Sequence, residues 1–147
     1  MSHTPNFAMP LLFAAQAQKE ITHNEALVLI DALLSGCVAG MVSDPGTLDP
    51  GEGNVWIVGP SPVGAWSGHA ANLAIFTAGG WRFAPAVAGL RMYDRADTIV
   101  RTFADGAWQT PVSIADPAGG AVVDGEARAI LAALLSALRA AGLLDAT

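Results

Sequence analysis

Cysteine is almost absent from this chain: Cys37 stands alone in the apolar run Ser35 to Val42. That excludes an intrachain disulfide and any zinc site built on cysteines, and Cys37 itself reads as a small buried hydrophobe. Charge is scarce as well, at 14% of residues, while 52% are hydrophobic; a soluble domain usually carries ~25% charged residues. With so few ions to coat a monomer, some apolar surface is expected to meet another chain. Basic residues are the scarcest, seven against thirteen acids for a net charge of −6, and they are scattered. No cluster could neutralise a row of phosphates, so nucleic acid is not an expected partner. No apolar run approaches the ~18 residues of a membrane span. The apolar stretch Phe7 to Ala15 lacks a preceding basic residue and is broken by Pro10, so it reads as an arm rather than a signal, and no membrane insertion is expected.

What is present divides 147 residues into one domain's worth of elements. The expected order is an extended arm over 1–21, a helix and β region over 22–117, and a C-terminal helix over 118–147 as an oligomerisation element. Thr22 and Glu25 have the spacing of a capping box, with Ile21 and Ala26 as its staple, so the first helix is expected to start at Thr22. Ala26, Leu27, Ile30, Leu33 and Leu34 follow at helical spacing as one apolar stripe, before Gly36. The middle is punctuated by Gly and Pro into short strands: Cys37–Val42, Val55–Val58, Leu73–Thr77, Trp81–Phe83, Leu90–Tyr93, Thr98–Phe103 and Trp108–Gln109. Two connections repeat the pattern Phe, two residues, Gly, one residue, Trp, at Phe76 to Trp81 and Phe103 to Trp108, as hairpins that bring Phe and Trp together on facing strands. The closing helix is expected to be capped by Asp124 and to run to about Ala141 before Gly142. In it Ala127, Leu131, Leu134, Leu138 and Ala141 form an a/d seam, widened by Ile130, Leu135 and Ala137. The fold class is therefore α+β: arm and helix, a small antiparallel meander with Trp/Gly hairpins, and an apolar C-terminal helix packed on the sheet or at an oligomer axis.

Residues that could carry chemistry are few. His3, His23 and His69 lie in unrelated segments, with no spacing that pairs them with a nucleophile or carboxylate. Asp44, Asp49 and Glu52 lack the alternating ligand order of a calcium loop and are explained by Asp-Pro and Pro-Gly turns. The glycines from Gly51 to Gly68 precede no helix and no Gly-Lys-Ser/Thr, so they are turn glycines rather than a phosphate cradle. No catalytic residue, metal or other cofactor is expected. Trp56, Trp66, Trp81 and Trp108 are the candidates for a glycan platform, since indole faces stack on sugar rings; the competing reading is core filler in a thin sheet.

The stretch Ala15-Gln16-Ala17-Gln18-Lys19-Glu20-Ile21-Thr22-His23-Asn24-Glu25-Ala26-Leu27 resembles a family of unknown-function domains from bacterial prophages and gene transfer agents. The resemblance continues through Gly53 to Gly59, Gly64 to Gly68, Gly80-Trp81, Gly89 to Tyr93 and Phe103 to Trp108. It implies a protein made in the bacterial cytoplasm and assembled into a virion as a tail-fibre or head-spike component, trimeric, in contact with other particle proteins and with host-surface polysaccharide. It supplies no catalytic residues. Gln16, Gln18, Lys19, His23 and Asn24 then become candidates for assembly through the arm, and Leu131, Leu134 and Leu138 for assembly through the last helix. A stand-alone glycan-binding module is the alternative expectation, and a particle-borne cell-wall hydrolase using His23 or His69 a weaker one.

Overall fold

A computed structural model describes residues 3–12, 19–120 and 124–145. Among these, helix α1 (Lys19–Leu34) leads into strands β1 (Cys37–Val38), β2 (Met41–Val42), β3 (Val55–Val58), β4 (Leu73–Thr77), β5 (Gly80–Ala84), β6 (Arg91–Asp94), β7 (Ile99–Ala104) and β8 (Ala107–Gln109), then α2 (Gly125–Ala140). The class is α+β. The strands form two mixed sheets of four, in the orders β1-β6-β7-β8 and β2-β3-β4-β5, where the sequence suggests one antiparallel meander.

The reason is the run 37–42. Instead of one strand it makes two, bent at Ala39-Gly40, and each half pairs in parallel with a different sheet: β1 with β6, β2 with β3. The Gly40 carbonyl accepts from Ile57 at 3.0 Å, while the Val38 carbonyl accepts from Arg95 at 3.0 Å, so six residues stitch the sheets together. A Cβ on Gly40 would lie 3.3 Å from that of Ala96, which favours glycine at the crossing. Cys37, on this seam, is half-buried rather than fully buried.

Both Phe-to-Trp connections are hairpins with the expected register, Phe76 opposite Trp81 and Phe103 opposite Trp108. Their turns differ. Asp105 (φ 51°) and Gly106 (φ 77°) form the left-handed pair of a type I′ turn, whereas the first hairpin places its positive φ on Gly80 rather than Gly79.

Alternation along β3 and β4 divides the core. Val55, Ile57, Leu73 and Ile75 meet Ala32 of α1, Val38 and Met92 in one cluster. Trp56, Val58 and Ala74 face the other way and are covered by Trp66, which is held in a single 3-10 turn. The central strands β3 and β4 are therefore buried on both faces, while β2 and β5 beside them are half-buried.

Helix α1 begins at Lys19, so Thr22 lies inside its first turns and is not the cap; Glu25 instead pairs with Arg82 on β5. The apolar stripe of α1 is also placed differently from a core stripe. Ala26, Ile30, Leu33 and Leu34 face outward, while Val28 and Ala32 face inward with Asp31. Helix α2 starts as expected: the Asp124 side chain accepts from the Ala127 N–H at 3.0 Å.

Candidate functional site

The inward polar residues of α1 organise the N-terminal segment. Asp31 is fully buried and accepts four hydrogen bonds: from the Thr4 hydroxyl at 2.7 Å, the Asn6 and Phe7 backbone N–H groups at 2.8 Å each, and the Asn6 side-chain amide at 2.9 Å. Residues 3–10 close into a loop around this carboxylate, with His3 bridging Pro10 and Met9 donating to the Thr4 hydroxyl. Burial alone would raise the Asp31 carboxyl, but the donated bonds from Asn6, Thr4 and Phe7 outweigh it and hold the group below its ordinary range. The loop also rests on Gly53, where a Cβ would come within 2.4 Å of Pro5.

Asn24, expected to serve assembly, engages the arm of its own chain. Its Oδ1 accepts from the Leu12 N–H at 2.9 Å and its Nδ2 donates to the Leu12 carbonyl at 3.0 Å, as a neighbouring strand would. His23 lies on the exposed outer face of α1 beside Ala26 and Ile30. Gln16 and Gln18 lie outside the described residues, and Lys19 is placed only as the first residue of α1.

The four tryptophans take three settings. Trp56 and Trp66 are buried and present no face to a sugar; their burial follows from the alternation of β3 and from the loop that caps it. Trp81, half-buried, is the hub of the aromatic face, in edge-on contact with Trp56 at 5.6 Å, Trp66 at 4.9 Å and Phe76 at 5.0 Å. Trp108 packs edge-on against Phe103 and donates its indole N–H to the Ala71 carbonyl at 2.8 Å, tying the tip of one sheet to a loop of the other. It also lines an apolar groove of about 400 Å³ with Met41, Val58 and Pro60. His69 stacks flat on Phe83, 3.7 Å apart, beside Asn72. Among the described residues no group of three His, Cys, Asp or Glu side chains could hold a metal ion, and no helix is long and apolar enough to cross a membrane.

Among the described residues, the C-terminal candidates belong to an extensive unburied apolar feature. α2 contains no buried residue. Its Arg128 and Arg139 turn toward the extended segment 111–120: Arg128 donates to the Gly119 carbonyl at 2.6 Å, and Arg139 to Asp116 at 2.9 Å and to the Ile114 carbonyl. At its end the Gly142 carbonyl accepts from Val100 of β7 at 2.9 Å, continuing the ladder where β8 has stopped. Gly142 has φ 69°, and a Cβ there would press on the β7 backbone at 3.2 Å. With the arginine side spent on this strap, Ile130, Leu131 and Leu134 face solvent, Leu138 is partly covered, and Val112 and Ile114 of the strap add to the exposed apolar surface. The seam read from the sequence thus exists as a surface, but does not pack on the sheet.

A family described as "Protein of unknown function (DUF2793)" matches residues 23–109, which takes in most of α1 and all eight strands and ends before α2. No curated protein matches the chain.

Proposed function

The chain belongs to that family of proteins of unknown function, and from this premise we propose that it is a structural attachment component of a phage-like or gene-transfer-agent particle, a spike or fibre subunit or an adaptor. It acts by binding rather than by chemistry, assembles as a homotrimer through α2, and links other particle proteins to host-surface polysaccharide. The observation that carries this reading is the ordered seam of Ile130, Leu131 and Leu134, left uncovered on a helix whose opposite side is already occupied. A helix of this kind in a soluble protein is stabilised by burying that seam on another chain. The particle assignment rests on the similarity of Ala15 to Leu27 to prophage and gene-transfer-agent domains.

Gold-labelled antibody against this chain, applied to particles purified from producing cells, tests the assignment. Labelling at one fixed location supports it; unlabelled particles, with the protein entirely in the soluble fraction, overturn it. The glycan-binding alternative now falls on Trp81 and Trp108, which are half-buried where Trp56 and Trp66 are buried.

A further inference from the structure

The solvent face of the sheet β1-β6-β7-β8 carries a row of polar side chains that the fold leaves unused. Register sets Arg91 of β6 opposite Thr102 of β7, and Thr102 opposite Gln109 of β8, so the three stand side by side on one face. Burial alternates along β6, with Met92 and Asp94 inward and Arg91 and Tyr93 outward, which makes that face the solvent one. The row lines a cleft of about 230 Å³ together with Pro111, past the end of β8, and Leu143, past the end of α2. Of the other arginines, Arg82, Arg101 and Arg139 are in ion pairs and Arg128 donates to the Gly119 carbonyl. The Arg91 guanidinium has no hydrogen-bond or ion-pair partner among the described residues, and no acid among them lines the cleft. We propose that this cleft binds a carboxylate-bearing sugar, a uronic acid residue of a polysaccharide. This rests on the polysaccharide partner proposed above and supplies its site and its sugar class.

Each member of the row matches one part of such a ring. A free guanidinium presents two parallel N–H donors, the geometry that a carboxylate accepts. The Thr102 hydroxyl, which makes no hydrogen bond among the described residues, can both donate and accept. Gln109 spends its Nε2 on the Ala104 carbonyl at 3.3 Å and so offers its Oε1 to a sugar hydroxyl. Tyr93, 37% exposed on the same face as Arg91, supplies an aromatic surface for the C–H side of a ring. Size and charge decide among anions. The cleft is smaller than the ~300 Å³ at which sites for drug-sized ligands begin, so a single hydroxylated ring fills it. One unpaired cation on a chain of net charge −6 suits one carboxylate and not a row of phosphates. A carboxylate with neighbouring hydroxyls on one rigid ring is what a uronic acid offers and an acidic peptide side chain lacks.

Titrating tetrasaccharides of galacturonate, of mannuronate and of hyaluronan into isotopically labelled full-length protein tests the site by NMR. The backbone amides of Arg91, Thr102 and Gln109 are expected to shift, with a Kd of about 1 mM or tighter for at least one saccharide. Arg91→Met should weaken that binding at least tenfold, and so should methyl esterification of the sugar carboxylates. Thr102→Val, close in shape but without the hydroxyl, should weaken it several-fold. Arg95→Met makes the same change in net charge at an exposed arginine that does not line the cleft, and should leave binding unchanged. Binding that survives both Arg91→Met and esterification, or shifts confined to Trp81 and Trp108, overturns the cleft and leaves the polysaccharide partner standing. A tetraglutamate peptide that moves the same amides as tightly overturns the sugar class. No shift with any saccharide at ~10 mM overturns both the cleft and the polysaccharide partner, while the particle assignment is judged separately by antibody labelling.

Discussion

Replacing Asp31 by asparagine keeps the shape of the side chain and removes its charge. In the native chain the carboxylate accepts from Thr4, from the Asn6 and Phe7 N–H groups and from the Asn6 amide. An asparagine has one acceptor oxygen there and turns an NH₂ group toward donors, so at least two bonds are lost and the rest lose their charge assistance. Hydrogen bonds to charged groups contribute about 1.5–3 kcal/mol each, and the substitution also relieves the cost of burying a charge, so the net loss is expected near 3 kcal/mol. Urea denaturation at fixed protein concentration measures the global part. Amide exchange at Asn6 and Phe7 measures the local part: 3 kcal/mol corresponds to roughly a hundredfold faster exchange. The pH dependence has a definite sign. Because the folded carboxyl titrates below its unfolded value, its contribution is fully present above about pH 4 and is lost as pH falls through the lowered folded value; Asp31→Asn lacks that acid-induced loss. A stability change under about 0.5 kcal/mol together with unaltered exchange at Asn6 and Phe7 would refute the idea that this carboxylate holds the N-terminal loop.

Two further perturbations test other joints. Arg101 is buried and donates to the fully buried Asp94 at 2.6 Å, so Arg101→Ala strands a charge and is expected to cost about 3–5 kcal/mol. The double change Asp94→Leu with Arg101→Met is expected to melt much closer to the native chain, and equal melting of the two variants contradicts the account. Gly53→Ala places a methyl 2.4 Å from the Cβ of Pro5 at φ 83°; it should cost at least about 1 kcal/mol and speed exchange at Asn6 and Phe7, and unchanged exchange would show that the loop does not rest there.

Local signals identified local structure. Strands β3 and β4 fall where their β-branched and aromatic runs place them, the two hairpins follow from their glycines, and α2 starts at the Asp124 cap. Harder to read was anything decided between distant segments. Nothing in Cys37–Val42 says that its halves pair with different sheets, because that depends on β3 and β6 far along the chain. The Thr22–Glu25 spacing mimics a capping box, but Glu25 finds Arg82, 57 residues away. Both sides of α1 are apolar, so periodicity alone does not say which one meets the core; Asp31 and Asn24, drawn inward by the arm they bind, set the orientation. Of the functional candidates, the α2 seam was legible as a pattern. The α1 stripe was legible only as a pattern of unknown destination, and the tryptophans could not be sorted into core and surface before the loop carrying Trp66 was placed.

Light scattering on the full-length chain eluting from a sizing column, at tens of micromolar, tests the central claim most directly. The account predicts three times the 15.0 kDa chain mass, falling to the single-chain mass in the Leu131→Glu, Leu134→Glu variant with its circular dichroism preserved, since both side chains are already half in water. A native chain that runs as a monomer at that concentration would contradict it.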